Sequence, residues 1–365
     1  MCEKTIKKIT ACIKELEGNI TLGIDGYVDE VWRVVQARAN LSEFTLYRNM
    51  KALGEAIVKC GDGGFAQEVI KTRRSYGGFT GNTGNALGCL GIKPVMLGMY
   101  GKDSIDSVFE RFHTLCDLIS LGDPATCLIF EFEDGKLMYP CMEALLGFNW
   151  EVMHDYAGFN RVEEILLNSE IIALGYWSSM PAFDEVVTKV CESYVEKGRC
   201  QKMFFDFADF RKRDRSSLER TLKVLAKLNE IVPMTLSLNE NEAELLFSYH
   251  SEEFDERHLE RALINLRKKI GISEIVVHTP HIAASSHDKE GFAEAQNRYC
   301  PNPVITAGAG DTFNGGYLAA SLGMLDIQER LITANATTAF YVRNGYAPGT
   351  NELIAELESF HPSAS

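Results

Sequence analysis

The stretch Thr306–Gly316, which reads TAGAGDTFNGG, carries the strongest structural signal in the chain. The segment Tyr317–Leu322 behind it is compatible with a helix that ends at Gly323. A loop of small residues that opens a helix leaves backbone N–H groups free and adds the positive end of the helix dipole. Such a site can hold the charge of a phosphoryl group, and Asp311 at its rim can take the proton of an attacking hydroxyl.

Other chemistries fit the sequence less well. Asp311 could instead cap the following helix, which is a common role of aspartate. The chain has no GxxxxGK[ST] motif, which argues against a P-loop fold, and no GxSxG motif of a hydrolase. Its eight histidines show no metal spacing, although His278, His281 and His287 lie near the end of one predicted strand. The pattern therefore favours phosphoryl transfer.

Short β-rich segments alternate with longer helical segments before this stretch. Near-continuous apolar strands separated by helices predict a three-layer, Rossmann-like α/β fold with a mainly parallel sheet. Ligands of such sheets bind at the carboxyl ends of the strands. The predicted strands are Ile20–Ile24, Pro94–Met99, Glu170–Tyr176, Lys202–Phe207, Met234–Leu238 and Glu274–His278, and the predicted helices are Ala182–Lys197, Ser216–Glu230, Glu240–Phe247 and Asp255–Ile270.

One segment breaks the alternation. Thr126–Phe132 and Lys136–Cys141 flank an Asp134-Gly135 turn, which predicts a β-hairpin. We interpret it as part of a small β lid, with an ordinary edge hairpin as the alternative. Because no repeat or Pro-rich linker is visible, we predict one domain over residues 1–365, with a lid built from segments near 25–50 and 126–141.

Composition and charge exclude several classes of protein. The 365 residues are 45% hydrophobic and 24% charged, as is ordinary for a soluble globular protein. A formal net charge of −14 argues against a nucleic-acid partner. Ten cysteines without a CxxC pair predict reduced thiols in a cytoplasmic protein. Ile6, Ile9, Ile13 and Leu16 have helical spacing, which predicts a surface helix and no signal peptide. No apolar run is long enough to span a membrane.

Together with Ile305, the C-terminal stretch resembles the signature of the ribokinase-like (PfkB) family of carbohydrate kinases, DTxGAGD followed by F and a glycine-rich helix start. The resemblance implies a ribokinase-like fold, with Asp311 as the catalytic base. It also implies that the amides of Gly308, Ala309 and Gly310 form the anion hole. The family has aspartate where this chain has Ile305, at a position that helps relatives bind an activating monovalent cation. Dependence on potassium is therefore left open.

A second stretch, Gly77–Asn82 with the sequence GGFTGN, resembles the family's GGxxxN segment. Glycines let the backbone approach a ligand, and asparagine can both donate to and accept from a sugar hydroxyl. The resemblance implies that Gly77, Gly78 and Asn82 bind the sugar. A glycine-rich turn that serves helix packing is the alternative. A dinucleotide loop is disfavoured because the spacing is not GxGxxG and no strand is predicted directly before it.

An aspartate that contacts the substrate is expected after the first strand, where the chain reads GIDGYVD over residues 23–29. Members of the family carry such an aspartate shortly after the glycine, and it binds hydroxyls of the substrate. By resemblance, Asp29 is the first candidate and Asp25 the second. Carboxylates suit polyols because they accept two hydroxyl donors at once. Either residue could instead be a turn aspartate.

The remaining motifs imply a site for ATP and magnesium. The sequence NENE at residues 239–242 resembles the family's NxxE, in which Asn239 and Glu242 would organise Mg²⁺, through water, and the phosphates. Taken alone, NENE would be an ordinary helix start. The family's DPNxR and TxG motifs are matched only in part, by DFADFR at 206–211 and TPH at 279–281, so Arg211 and Thr279 rest on weaker resemblance. The residues that the resemblance assigns to ATP are Asn239, Thr279, Thr306 and Asn335.

Taken in family order from Asn19 to Gly345, these motifs predict an ATP-dependent kinase that phosphorylates a hydroxyl of a sugar or a similar small polyol. Ribose, fructose, a ketodeoxy acid, a nucleoside and a sugar phosphate all fit as acceptors. A non-catalytic homologue that senses sugar or nucleotide is the alternative. A Rossmann oxidoreductase is a weaker one, because no GxGxxG loop follows the first strand. The hairpin also permits a homodimer that pairs through its lids.

Overall fold

The secondary structure comes from a computed structural model, which describes residues 3–250 and 254–359. The described strands are β1 (Ile20–Ile24), β2 (Tyr27–Arg38), β3 (Phe44–Leu46), β4 (Val69–Gly77), β5 (Val95–Gly98), β6 (Asp117–Ser120), β7 (Ala125–Phe132), β8 (Gly135–Cys141), β9 (Ile171–Gly175), β10 (Lys202–Asp206), β11 (Met234–Asn239), β12 (Glu274–His278), β13 (Ile282–His287) and β14 (Gly291–Gln296). The described α-helices are α1 (Glu3–Lys14), α2 (Met50–Lys59), α3 (Gly78–Cys89), α4 (Glu143–Leu146), α5 (Trp150–Ala157), α6 (Phe159–Asn168), α7 (Phe183–Ser193), α8 (Arg215–Leu228), α9 (Glu240–Tyr249), α10 (Leu259–Ile270), α11 (Ala309–Leu322), α12 (Ile327–Asn344) and α13 (Thr350–Ser359). Short 3₁₀ helices lie at Ser107–Thr114, Trp177–Ser179, Val195–Lys197, Phe210–Lys212 and Glu256–His258.

A central sheet organises the molecule. Within residues 3–250 and 254–359 it contains nine strands in the order β14-β13-β12-β11-β10-β9-β1-β5-β6. The strands from β12 to β6 pair in parallel, and β13 and β14 extend the sheet antiparallel. Every residue of β1 and β9 is buried, as is typical of strands covered on both faces. The predicted α/β fold with a mainly parallel sheet is confirmed.

Two apolar cores cover the two faces of this sheet. Adjacent residues of one strand point to opposite faces, so Phe204 packs in one core and Phe205 in the other. Helices α3, α11, α12 and α13 contribute to the first core, and α7, α8 and α10 to the second. The predicted N-terminal surface helix is α1, which buries Ile6, Ile9 and Ile13. Among the helices of the described residues, none combines the length and apolarity needed to cross a membrane.

A second, smaller sheet is built around β2. Its strands are ordered β3-β2-β7-β8, and β4 also pairs with β2. Strands β7 and β8 form the hairpin predicted at 126–141. The sheet includes β4, which lies outside the two segments predicted for the lid.

The predicted strands agree with β1, β5, β9, β10, β11 and β12 to within one residue at each end. The statement that no strand directly precedes Gly77 was wrong, because β4 ends at that residue. Most residues of β4 are exposed, so it lacks an apolar pattern, and pairing with β2 over Tyr27–Val34 holds it in place. The spacing argument against a dinucleotide loop is unaffected.

Candidate active site

Helix α11 begins at the C-terminal glycine-rich stretch without a capping side chain. Gly308 is its N-cap, with a φ of 74°, and among the described residues no side chain accepts a hydrogen bond from the first amides of the helix. A Cβ at Gly308 would lie 2.9 Å from Cγ of Asn82. Both the left-handed backbone and the close approach of Asn82 therefore require glycine here. The alternative in which Asp311 caps the helix is wrong.

The amides at this helix start are not equivalent. The N–H of Ala309 donates to the carbonyl of Thr306 at 3.2 Å, so it is already used within the loop. The N–H groups of Gly308, Gly310 and Asp311 find no acceptor in the described part of the chain. Free amides at a helix start form a binding site for an anion. Among the three predicted amides, the geometry favours Gly308 and Gly310 over Ala309, and it adds the amide of Asp311.

The carboxylate of Asp311 lies in the first turn of α11 and is held by two side chains from other elements. Asp311 is 5% exposed. Asn82 donates from Nδ2 to Oδ2 at 2.9 Å, and Tyr176 donates from its hydroxyl to Oδ1 at 2.9 Å and to Oδ2 at 3.0 Å. Burial raises the pKa of Asp311, while the bonds from Asn82 and Tyr176 lower that pKa. These two donors therefore favour the ionised form, which a general base needs.

Asp311 faces a cavity of about 770 Å³ between the second sheet and the start of α11. Asp29, on β2, lines the same cavity, and its carboxylate accepts no hydrogen bond from the described residues. Burial raises the pKa of Asp29 to about 6, and Lys136 acts in the opposite direction. A carboxylate without a protein partner in a cavity is available to hydroxyl groups of a ligand. Other lining residues are Gly78, Asn82, Arg73, Met138, Thr306 and Tyr346.

Asp25, the second candidate for sugar binding, is occupied elsewhere. It is fully buried, and its carboxylate accepts the N–H groups of Phe79 at 2.7 Å and Thr80 at 2.8 Å, at the start of α3. Burial raises the pKa of Asp25 to about 7. Gly78 has a φ of 82°, and a Cβ there would lie 2.4 Å from Oδ2 of Asp25. Asp25 thus closes a helix terminus, and Asp29 is the aspartate that reaches the cavity.

Asn239 and Glu242 form a capping box at the start of α9. Glu242 accepts from the Asn239 amide N–H at 3.0 Å and from its Nδ2 at 2.7 Å, and Asn239 Oδ1 accepts the Glu242 N–H at 3.1 Å. Both residues line a second cavity of about 380 Å³, which also contains Arg211, ion-paired to Asp209 at 2.8 Å. Asp209 lines both cavities, so the two adjoin.

The other residues assigned to ATP divide into two groups. Thr306 lines the larger cavity together with Asp311. Thr279 Oγ1 accepts the N–H groups of His281 and Ile282 at 3.1 Å, which forms a local turn. Asn335 is buried, and its Nδ2 donates to the carbonyl of Ala295 at 3.0 Å. Neither Thr279 nor Asn335 lines either of these cavities.

The sequence reasoning missed two polar residues at the carboxyl edge of the sheet. One is Tyr176, which follows β9 and contacts Asp311. The other is Asp206, the last residue of β10, which accepts from Nδ2 of Asn314 at 2.8 Å. Burial raises the pKa of Asp206 to about 7, and the charge of Asp311 adds to that effect. Asp206 ends β10 and Tyr176 directly follows β9, and both strands were predicted to within one residue, so the carboxyl-end rule could have identified these residues.

Solved structures show which fold this is. A ribokinase from Thermotoga maritima has a TM-score of 0.64 and 17% identity, and the match covers 93% of this chain and 99% of that one. A ribokinase from Arabidopsis thaliana, complexed with ribose and ATP, has a TM-score of 0.66 and 16% identity, with 94% and 99% covered. The predicted ribokinase-like fold is confirmed.

Sequence relatives show the class of enzyme. A ketohexokinase from Haloferax volcanii is 27% identical over 364 residues, which is 97% of this chain and 96% of that protein. Fold, site and relative together define a carbohydrate kinase, as predicted. The family model described as prokaryotic ketohexokinase matches residues 1–360, and the chain belongs to that family.

Proposed function

We propose that this kinase transfers the γ-phosphoryl group of ATP to a terminal hydroxyl of a ketohexose, with Asp311 as the general base. The observation that carries the proposal is one buried carboxylate between free helix amides and a cavity of about 770 Å³. The choice of a ketohexose is supported by the Haloferax volcanii relative, which is a ketohexokinase aligned with this chain over almost its full length.

The sugar would bind in the larger cavity. Asp29 offers two carboxylate oxygens to hydroxyl groups, and Asn82 offers Oδ1 while its Nδ2 stays bonded to Asp311. Gly78 lines this cavity, and Gly77 packs against the Asp29 carboxylate, which a Cβ at Gly77 would approach to 2.6 Å. The acceptor hydroxyl would then lie within reach of Asp311. This arrangement keeps Asp29 as the substrate aspartate and assigns Asp25 to the structure of α3.

The chemical step needs one proton acceptor and one anion site. Asp311 takes the proton of the acceptor hydroxyl, and the resulting oxygen forms a bond to the γ-phosphorus of ATP. The bond between that phosphorus and the oxygen bridging to the β-phosphate breaks, so that ADP leaves and the proton on Asp311 returns to solvent. The amides of Gly308, Gly310 and Asp311 stabilise the negative charge of the transferring group.

ATP would lie over the smaller cavity, with its terminal phosphate directed toward α11. Asn239 and Glu242 line this cavity and present oxygen atoms, the ligand type that Mg²⁺ prefers. No group of three or more His, Cys, Asp or Glu side chains within the described ranges is arranged to hold a metal ion. Asn239 and Glu242 would hold a magnesium ion through water, where it would neutralise phosphate charge.

The decisive experiment compares the chain with its Asp311→Asn variant. We expect ADP release from ATP in the presence of fructose, and a turnover lower by about 10²–10⁴-fold in the variant, which is the usual contribution of a positioned base. Folding should be retained, because asparagine keeps the shape of the side chain. The measurement is a coupled ADP-release assay, with thermal unfolding of both proteins as the control. Unchanged turnover in Asp311→Asn would refute the role of the base.

The acceptor class is tested separately. We expect ketohexoses to be phosphorylated with a higher kcat/KM than ribose, nucleosides or sugar phosphates, with the product identified by ³¹P NMR. A strong preference for one of the other acceptors would overturn the choice of a ketohexose and leave the role of Asp311 intact. Binding of sugar and ATP without release of ADP would favour a sensor.

A further inference from the structure

Tyr176 lies where it can control the geometry of the Asp311 carboxylate. It follows the last residue of β9, and its ring packs edge-on against Phe79 with centroids 6.3 Å apart. Its hydroxyl is 2.9 Å from Oδ1 and 3.0 Å from Oδ2 of Asp311, so a single donor spans both oxygens. A bond of this kind limits rotation of the carboxylate about its terminal torsion angle, which otherwise has a broad distribution.

The two oxygens of Asp311 do not have the same partners. Oδ2 accepts from Asn82 as well as from Tyr176, while Oδ1 accepts from Tyr176 alone. Each carboxylate oxygen can accept about two hydrogen bonds, so Oδ1 keeps an open position. That open position is the place where the proton of an incoming hydroxyl can be received.

The charged groups around Asp311 make the hydrogen bonds from Asn82 and Tyr176 more important for its ionised form. The carboxyl groups and the phenol that interact with Asp311 or Tyr176 disfavour the ionised carboxylate. The cationic side chains that line the same cavity are Arg73, Arg111, Lys136 and Lys212. Asn82 and Tyr176 are the neutral groups that lower the pKa of Asp311 against the effect of burial. The acidic neighbours are Asp25 after β1, Asp29 from β2, Asp206 from β10 and Tyr341 from α12.

We propose that Tyr176 is a positioning residue for the base: together with Asn82 it holds the Asp311 carboxylate so that Oδ1 faces the acceptor hydroxyl. The inference rests on the proposed function, in which Asp311 receives the proton. It goes beyond that function because it assigns the orientation of the base to a tyrosine that follows β9 and names the oxygen that reacts.

The first test is Tyr176→Phe, which removes the hydroxyl and keeps the ring that packs on Phe79. We expect kcat to fall by about 10- to 100-fold, as for loss of a hydrogen bond to a charged group. The KM for ATP should stay the same. In a plot of kcat against pH, the acidic limb (the fall of kcat at low pH) should move to higher pH. The reason is that the lost bond favours the ionised carboxylate, so its removal raises the pKa of Asp311. The limb and kcat are measured with saturating fructose between pH 5 and 9.

Two variants give the controls. Tyr194→Phe removes another buried hydroxyl, which is 3.0 Å from Nε2 of His154 and away from the cavity, and it should leave kcat and the acidic limb unchanged. Asp311→Asn, measured in parallel, separates the two proposals. If Asp311→Asn is inactive while Tyr176→Phe keeps the kcat and the acidic limb of the unchanged protein, the proposed role of Tyr176 is wrong and the role of Asp311 as the base is retained. If Asp311→Asn stays active, the proposed base itself is wrong.

A second measurement does not depend on truncation. Replacing Tyr176 with 3,5-difluorotyrosine makes the phenol a more acidic donor with nearly the same shape, so the acidic limb should move to lower pH, opposite to Tyr176→Phe. A fall in kcat with the limb fixed in both variants would show that Tyr176 serves only packing, and would overturn the proposal.

Discussion

Helices α3 and α11 both begin at glycine-rich sequences, yet only one of them presents free amides to the cavity. Gly78, at the start of α3, has a φ of 82°, and Gly308, at the start of α11, has a φ of 74°. At α3 the carboxylate of Asp25 accepts two helix amides. At α11 no side chain within residues 3–250 and 254–359 accepts the free amides. The difference teaches that a glycine-rich helix start becomes an anion site only when no other part of the chain supplies the anion.

The positions of the two aspartates explain this difference. Asp25 lies after β1 and points its carboxylate into α3 from outside the helix. Asp311 lies inside the first turn of α11 and is turned away toward Asn82 and Tyr176. One carboxylate therefore stabilises a helix start, while the other leaves its helix start open and faces the cavity. The same residue type serves folding in one place and chemistry in the other.

The largest effect on stability is expected from Asp25→Ala. This variant leaves two buried N–H groups of α3 without an acceptor, so the free energy of unfolding should fall by about 2–3 kcal/mol. Removal of a buried charge offsets a part of the stability that is lost with the two hydrogen bonds. Chemical denaturation measures the change. Asp311→Asn is the matched control and should lose little stability. Equal losses in both variants would contradict the distinction between the two helix starts.

A smaller effect is expected from alanine at the two glycines. Both Gly78→Ala and Gly308→Ala place a Cβ on a left-handed backbone, which costs about 1–2 kcal/mol of stability. They should differ in activity. The new Cβ at Gly308 would press on Asn82 and lower kcat about tenfold through Asp311. The one at Gly78 would press on Asp25, so we expect it to act on folding and, because Gly78 lines the cavity, on the KM for the sugar, with little change in kcat. Similar kcat values for the two folded variants would contradict the predicted difference between Gly78 and Gly308.

The smallest expected effect is the response of kcat/KM to pH. Burial raises the pKa of Asp29 to about 6 and also raises the pKa of Asp311. Because both act in their ionised forms, activity is present above these pKa values and lost below them, by about tenfold per pH unit for a single protonation. The profile is measured for fructose from pH 5 to 8. A kcat/KM that stays constant down to pH 5 would contradict the assignment of either carboxylate.

Much of the fold was predictable because it is encoded in short apolar runs. Strands β1 and β9 have five buried residues each, and such runs between helical segments can be recognised locally. Strand β4 could not be recognised in that way. It is mostly exposed and polar, and it is a strand because β2 pairs with it. Long apolar runs and the Asp-Gly turn of the hairpin could be recognised locally, whereas β4 depends on its partner strand. Strand β13 was also missed: it is buried, but its sequence IAASSH has only small and polar residues after Ile282.

The candidate site shows the same division. The sequence alone determined that a glycine-rich loop with Asp311 opens a helix, because small residues and an aspartate at that spacing are a local property of the chain. Only the tertiary structure decided that Asp29 reaches the cavity while Asp25 closes α3. The same is true of Tyr176, which contacts Asp311 from 135 residues away in the chain. Contacts of this kind form when the strands assemble into a sheet, and no local pattern of residues records which side chains will then face each other.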